Sequence, residues 1–393
     1  MPGWHDVTEP YRQSGQLEVV GLIQEQHPDR AALFMQWKDM DWPLWVDSLN
    51  LLELPAVPYT LLINERGRIR YVGPSQEEFL SFMAEPVPQK ASPDLFEGLE
   101  RPDLGWLHRQ AKSTQQSSAW LAYAQALYLW HWDTKSASCL DAFEQALASD
   151  PGNGWIHFRK GVAHRRLFDQ QLLADPIELE LAMKHWQKAL SLDPDQYIWR
   201  RRLQQYGPRL DKPYAFYDWV KEARHALKAR GEVPLSLMIE PVGSEIAKPV
   251  ARDALATIPA AGDWAPQMQV ERDKARWITW HHVSVASTQS DRESFRIHMS
   301  WAPVKQGSMV WNNEAEPLTL YLEASDGWRL SQSTIQVPGP DSAHDQERRW
   351  LEFELSGQRD ATKPTVSGYA LYHVCDPDSG LCLFRRQDFT LSL

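Results

Sequence analysis

Cysteine is scarce in this chain, with three residues in 393: Cys139, Cys375 and Cys382. Three thiols cannot form a disulfide framework for a polypeptide of this length. Without paired Cys-x₂-Cys spacing they offer no zinc-type ligand set either. One pair plus one leftover is the natural division. Also missing is any apolar run near the ~20 residues that a bilayer-spanning helix requires. The N-terminal Met1-Pro2-Gly3-Trp4-His5-Asp6 lacks a basic segment followed by an apolar one. As written, the chain reads as cytoplasmic with no membrane insertion, whereas a signal segment upstream would make it exported or periplasmic. Positive charge is in deficit, 41 Lys and Arg against 52 Asp and Glu, for a formal net charge of −11. Phosphates and anionic lipid therefore exert no general attraction, and nucleic acid is not an expected partner. The basic clusters Arg165-Arg166 and Arg200-Arg201-Arg202 read as solvated helix faces beside acidic neighbours. There is no Gly-x-Ser-x-Gly elbow, and His131, His157, His164 and His185 lack the paired spacing and carboxylate of a zincin. No hydrolase chemistry, metal or cofactor is expected.

What the chain has is apolar mass: 43% hydrophobic residues, including 19 Trp, enough to offset chain entropy in folded cores. At 393 residues it exceeds one ordinary core, and its patterning divides it into three. Residues 1–85 alternate helix and strand signals. Leu17 to Ile23 is a short apolar run suited to a buried strand, and Ala31, Ala32, Phe34, Met35 and Trp37 follow at helical spacing. Leu44-Trp45-Val46 comes next, then Tyr59 to Asn64 and Ile69 to Val72 joined by a turn at Arg66-Gly67, then an amphipathic helix over 75–84. Proline and polar residues mark 86–113 as a linker. Residues 114–232 read as helices only. The endings Ala146-Leu147-Ala148-Ser149-Asp150-Pro151 and Ala189-Leu190-Ser191-Leu192-Asp193-Pro194 repeat one another. A second proline-broken linker spans 233–275. Over 276–393 the period becomes two, at Phe295, Ile297, Met299 and Trp301, at Leu318, Leu320 and Leu322, at Leu351, Phe353 and Leu355, and at Phe389, Leu391 and Leu393. This predicts an antiparallel β-sandwich.

Three resemblances attach to these regions. The stretch Ala56-Val57-Pro58-Tyr59-Thr60-Leu61-Leu62-Ile63-Asn64-Glu65-Arg66-Gly67-Arg68-Ile69 resembles the entry to the β-hairpin in thioredoxin-like proteins of the TlpA and peroxiredoxin-like branch. The resemblance implies that Val57-Pro58 is the substrate loop, with its proline cis. That family sets Cys-x-x-Cys at the start of its first helix, after a central strand, and this chain has neither. The expectation is an incomplete thioredoxin-like α/β domain, redox-competent only if an upstream segment supplies the motif. Exchange needs a thiolate, and a helix N-terminus lowers a cysteine pKa. Tyr123, Leu127, Trp130, Cys139, Phe143, Ala146 and Pro151 fall at the offsets of a tetratricopeptide repeat; Gly161, His164, Ala182, Trp186, Ala189 and Pro194 supply a second unit. The repeats imply either a groove for protein or peptide partners or a compact spacer. Cys139 takes the small-residue position at a helix contact, as a buried inert thiol.

Tyr372 to Cys382 places two cysteines across a turn rich in Asp, Pro, Ser and Gly, where a disulfide is feasible. The segment resembles the cysteine hairpin of the periplasmic N-terminal domain of the reductant transporter DsbD and of sandwich domains appended to other thioredoxin-like proteins, as does Trp311 to Leu318. Cys375 and Cys382 are thus redox or disulfide candidates, either exchanging electrons with a partner protein or stapling a turn. His373 is a candidate to assist them, with alternation expected to turn it to the other face from Cys375's neighbours. Of His281 and His282, on opposite strand faces, at most one can join a site. Two functions follow: a thiol–disulfide oxidoreductase-related protein, or a non-catalytic scaffold that binds proteins through a redox-dead thioredoxin fold and repeats.

Overall fold

The computed structural model describes residues 2–24, 28–55, 57–86, 101–170, 177–204, 206, 219–237, 270–286, 292–304, 309–358 and 364–393. Of the linker expected at 86–113, residues 87–100 lie outside these residues, and the rest departs from the expectation because a helix already begins at Leu104; the second expected linker lies outside them at 238–269, as does Ala56. The chain combines helices with several antiparallel sheets.

The first region runs α1 (Pro2–Gln13), β1 (Gly21–Ile23), α2 (Pro28–Trp37), β2 (Leu44–Val46), β3 (Leu61–Ile63), β4 (Ile69–Val72) and α3 (Gln76–Met83). β1 and β2 pair in parallel, while β3 and β4 form an antiparallel hairpin. At its turn, Asn64 Oδ1 accepts from the Arg66 and Arg68 amides, and Gly67 supplies the positive φ of 67°. α3 begins with a capping box. Ser75 Oγ accepts from the Glu78 amide, and the Glu78 carboxylate accepts from the Ser75 amide. Among the described residues, no ladder joins the β1–β2 pair to the β3–β4 pair. Leu22, Trp45, Val46, Ile63, Ile69 and Val72 on these strands are exposed.

The second region is helical: α4 (Leu104–Thr114), α5 (Ser117–Trp130), α6 (Trp132–Ser149), α7 (Gly154–Gln170), α8 (Ile177–Leu192), α9 (Tyr197–Gln204) and α10 (Trp219–Ala229). α5 packs on α6 and α7 on α8. The core between them holds Ala124, Leu127, Cys139, Phe143, Phe158, Val162, Ala182, Met183 and Trp186. Small residues set how closely the helices approach: a Cβ on Gly161 would lie 2.5 Å from Trp186 Cδ1 and Nε1.

The third region contains β5 (Ile278–Ala286), β6 (Arg292–Pro303), β7 (Val310–Asn312), β8 (Leu318–Ala324), β9 (Trp328–Leu330), β10 (Thr334–Val337), β11 (His344–Asp345), β12 (Arg349–Gln358), β13 (Thr365–Asp376) and β14 (Leu381–Ser392). One sheet has the order β10-β8-β13-β7-β11, with β14 also on β13; the other is β5-β6-β12-β9. Both are antiparallel. The period-two positions Ile297, Met299, Trp301, Leu318, Leu320, Leu322, Leu351, Phe353, Leu355, Phe389 and Leu391 share one core.

That core is not the sheets' only burial. On the opposite face of β6, Arg296, His298 and Ser300 are also buried. His298 Nε2 donates to Tyr206 O at 2.6 Å, Gln187 on α8 donates to Ser284 O at 3.3 Å, and Val283 and Val285 belong to the helical core. The first region docks on the helices as well. Leu49 joins their core, Arg159 reaches the Leu49 and Asn50 carbonyls, and Trp37 of α2 stacks on Trp219 of α10. The helical block is thus the hub to which both other regions attach.

Candidate functional site

β13 and β14 form a long hairpin in which Cys375 lies directly opposite Cys382. The two are disulfide-bonded, with Cα atoms 4.0 Å apart. The turn between them is built by its own polar groups: Gly380 N donates to Asp376 O at 2.8 Å, and Asp378 N to Asp376 Oδ1 at 3.1 Å. Gly380 adopts φ 70°, which suits a residue without a Cβ.

The two half-cystines differ in accessibility. Cys375 is 1% exposed beside β7, where it pairs with Val310, whereas Cys382 is exposed on the outer strand. Leu381 at 54% and Phe384 at 41% exposure flank Cys382. The disulfide thus joins a buried residue to an exposed one, with apolar side chains beside the exposed one.

His373 lies two residues before Cys375, on the same face of β13. Its ring stacks on Phe384, centroids 4.3 Å apart and 11° from parallel, and its Nε2 lies 3.8 Å from Glu316 Oε2. His373 and Glu316 also line a cleft of about 390 Å³ with Trp311, Asn313, Pro338 and Arg349. The Trp311–Leu318 segment forms one wall of this cleft. Arg349 beneath it is held by Asp345 at 2.6 Å and Asn313 at 2.9 Å.

The other candidate residues lie elsewhere. The Val57–Pro58 peptide bond is cis, and both residues are exposed ahead of β3. Among the described residues, neither forms a hydrogen bond or ring contact with Cys375 or Cys382. Cys139 is fully buried, its thiol donating to Ala124 O at 3.3 Å. Burial pushes its pKa up to about 12, which leaves it without thiolate at neutral pH.

Sequence reasoning treated the helical histidines as scattered, yet three of them converge. His157 and His164, seven residues apart on one face of α7, meet His185 of α8. The i, i+7 spacing was the available signal; the partner on α8 was not visible without the packing. Among the described residues, no group of three or more His, Cys, Asp or Glu is arranged to hold a metal ion, and no helix is long and apolar enough to cross a membrane.

No family model matches the chain, and no curated protein matches it. Among solved structures, the crystal structure of a FixG-related protein from Vibrio parahaemolyticus aligns with 30% of this chain and 98% of its own length. The identity is 9% and the TM-score 0.15, a similarity too slight to bear on fold or function.

Proposed function

We propose that the chain works in thiol–disulfide exchange, with Cys375 and Cys382 as its exchanging pair on an appended β-sandwich, a tetratricopeptide-like block as connector, and residues 1–85 as an incomplete thioredoxin-like unit. The observation that carries this reading is the asymmetry of the hairpin disulfide, one half-cystine buried and the other exposed between Leu381 and Phe384. A staple needs no such access, whereas exchange requires an accessible sulfur. The order α1-β1-α2-β2-β3-β4-α3, with Val57 and Pro58 entering the hairpin, supports the thioredoxin-like assignment.

The step balances with a dithiol protein as reductant. Its thiolate attacks Cys382 Sγ, the Cys375–Cys382 bond breaks, and the electron pair leaves on Cys375 Sγ, which takes up a proton. The partner's second thiol then displaces Cys382, giving a partner disulfide and a reduced Cys375/Cys382 pair.

The test is trapping. In a Cys375→Ser variant whose Cys382 is activated as a mixed disulfide with thionitrobenzoate, the thiolate of a thioredoxin-type partner lacking its second cysteine is expected to displace thionitrobenzoate and remain on Cys382 as a stable mixed disulfide, visible as a mass increase removed by reductant. Cys382→Ser should trap far less, because Cys375 is covered. Equal trapping by both variants, or by neither, would refute the exchange reading. Either substitution is expected to lower stability by only ~2–3 kcal/mol, the chain-entropy value for a short loop, as measured by denaturant unfolding.

A second reading, a non-catalytic module that binds proteins, is favoured by the exposed Trp106 on α4 and Leu129 and Trp130 on α5. Under that reading, partner capture survives replacement of all three cysteines.

A further inference from the structure

Three histidines meet at the seam between α7 and α8, away from the disulfide. His157 Nδ1 lies 3.0 Å from His185 Nδ1, and His157 Nε2 lies 3.1 Å from Pro151 O. A carbonyl only accepts, so His157 Nε2 carries a proton. In the neutral ring its Nδ1 is then the acceptor, and His185 Nδ1–H donates to it. The bond between the rings exists only while one of these two nitrogens lacks a proton. His164 stacks on His185, ring centroids 5.5 Å apart and 7° from parallel. Its Nδ1 is 2.7 Å from Glu178 Oε2, and its Nε2 is buried without a hydrogen-bond partner among the described residues.

The charges around the cluster are mixed. From α6, Glu144 faces it, ion-paired to Lys160 of α7. From α8, Lys184 acts on His185, Lys188 on His157, and Glu178 on His164. Burial and the neighbouring Lys160 and histidines hold His185 down to about 3, and burial lowers His157.

The position of the pair gives it leverage. Two residues beyond His157, Arg159 holds the Leu49 and Asn50 carbonyls of the first region. Two residues beyond His185, Gln187 holds Ser284 of β5. We propose that the His157–His185 hydrogen bond is an acid-sensitive latch: uptake of a second proton by the pair breaks it, loosens α7 from α8, and frees the first and third regions from the helical hub.

The direction follows from linkage. The folded chain keeps His185 neutral down to about pH 3, whereas the unfolded chain protonates it near 6.5. Between those values the unfolded or opened state binds more protons. The stabilisation is complete above pH 6.5 and falls as pH falls, roughly tenfold in the opening equilibrium per pH unit per ring.

The test uses the full chain. Imidazole titration by NMR and the radius of gyration by small-angle scattering are followed from pH 7 to 3.5, alongside limited proteolysis. The expected result is late protonation of His157 and His185 with expansion in the same window. In His185→Asn, which can keep the ring contact without titrating, the pH slope of opening should lose one proton. Rings titrating near 6.5 in the closed chain, or identical opening profiles for wild type and His185→Asn, would overturn the latch. Should the variant fail to fold, the wild-type ring titration decides alone.

Discussion

Trp186→Ala is expected to lower the unfolding free energy of the chain by about 4 kcal/mol, measured by denaturant titration. Trp186 has no solvent exposure, and its Nε1 donates to Phe158 O at 3.1 Å. Its ring stacks on Tyr206, centroids 5.9 Å apart, and the Arg202 guanidinium lies 5.6 Å from its centre. Truncation leaves a cavity where α7, α8 and the Arg202 stem meet, and strips a buried carbonyl of its donor. The reciprocal change, Gly161→Ala, inserts a methyl 2.5 Å from that ring, with Ala182 O 3.1 Å away, and overpacking of this kind costs about 2 kcal/mol. The two are coupled. On the Trp186→Ala background the alanine at 161 is freed of the indole and meets only Ala182 O, so most of its penalty should disappear, giving a coupling energy approaching about 2 kcal/mol in a double-mutant cycle. Additive losses would mean that the helices are not held at this distance by the glycine–indole contact.

That contact shows which parts of the chain were legible. The repeat endings at Ala146–Pro151 and Ala189–Pro194 and the small residues between them pointed to paired helices, because close packing leaves a compositional trace at fixed offsets. The period of two at Phe295–Trp301 and Leu318–Leu322 was equally plain, since one face of each strand enters a common core. The cysteine hairpin was readable because its turn residues and its thiols lie within eleven positions of one another.

What was not legible depends on surfaces meeting between regions. Alternation along β6 marked Ile297 and Met299 as inward and left Arg296, His298 and Ser300 looking solvated. They are buried because the helical block covers that face, and His298 is satisfied by a carbonyl 92 residues away. Val283 and Val285, Leu49, and the stack of Trp37 on Trp219 belong to the same class. The sequence spacing of His157 and His164 hinted at a shared face, but only the placement of α8 makes that face a site.

Arg159→Met is expected to loosen the 47–54 segment from α7 while the helical block stays folded. Arg159 is 2% exposed; its Nε donates to Leu49 O at 3.2 Å, and its Nη2 to Asn50 O at 3.2 Å and Glu53 Oε1 at 3.1 Å. The segment it grips is already folded upon itself. Asn50 Oδ1 accepts from the Leu54 amide, Asn50 Nδ2 donates to Leu54 O, and the Asp47 carboxylate accepts from the Leu51 amide. Both carbonyls are thus presented outward to α7, where the guanidinium is their donor. Methionine keeps much of the stem that packs near Trp155, whose ring centre is 5.2 Å from the guanidinium, but leaves two carbonyls without that donor. The docking contact should weaken by about 3 kcal/mol. Ser48 and Tyr128, with their hydroxyls 3.1 Å apart, and the Leu49 side chain in the helical core remain as holds on the segment, so its loss of order is local. Limited proteolysis should show cleavage within 47–54 at a protease concentration that leaves the wild type intact, with α5–α8 still protected. Arg159→Lys should fall between the two, since one ammonium cannot reproduce a planar fork. A variant whose helices lose protection together with the 47–54 segment would show that Arg159 supports the hub itself and is no clamp between regions.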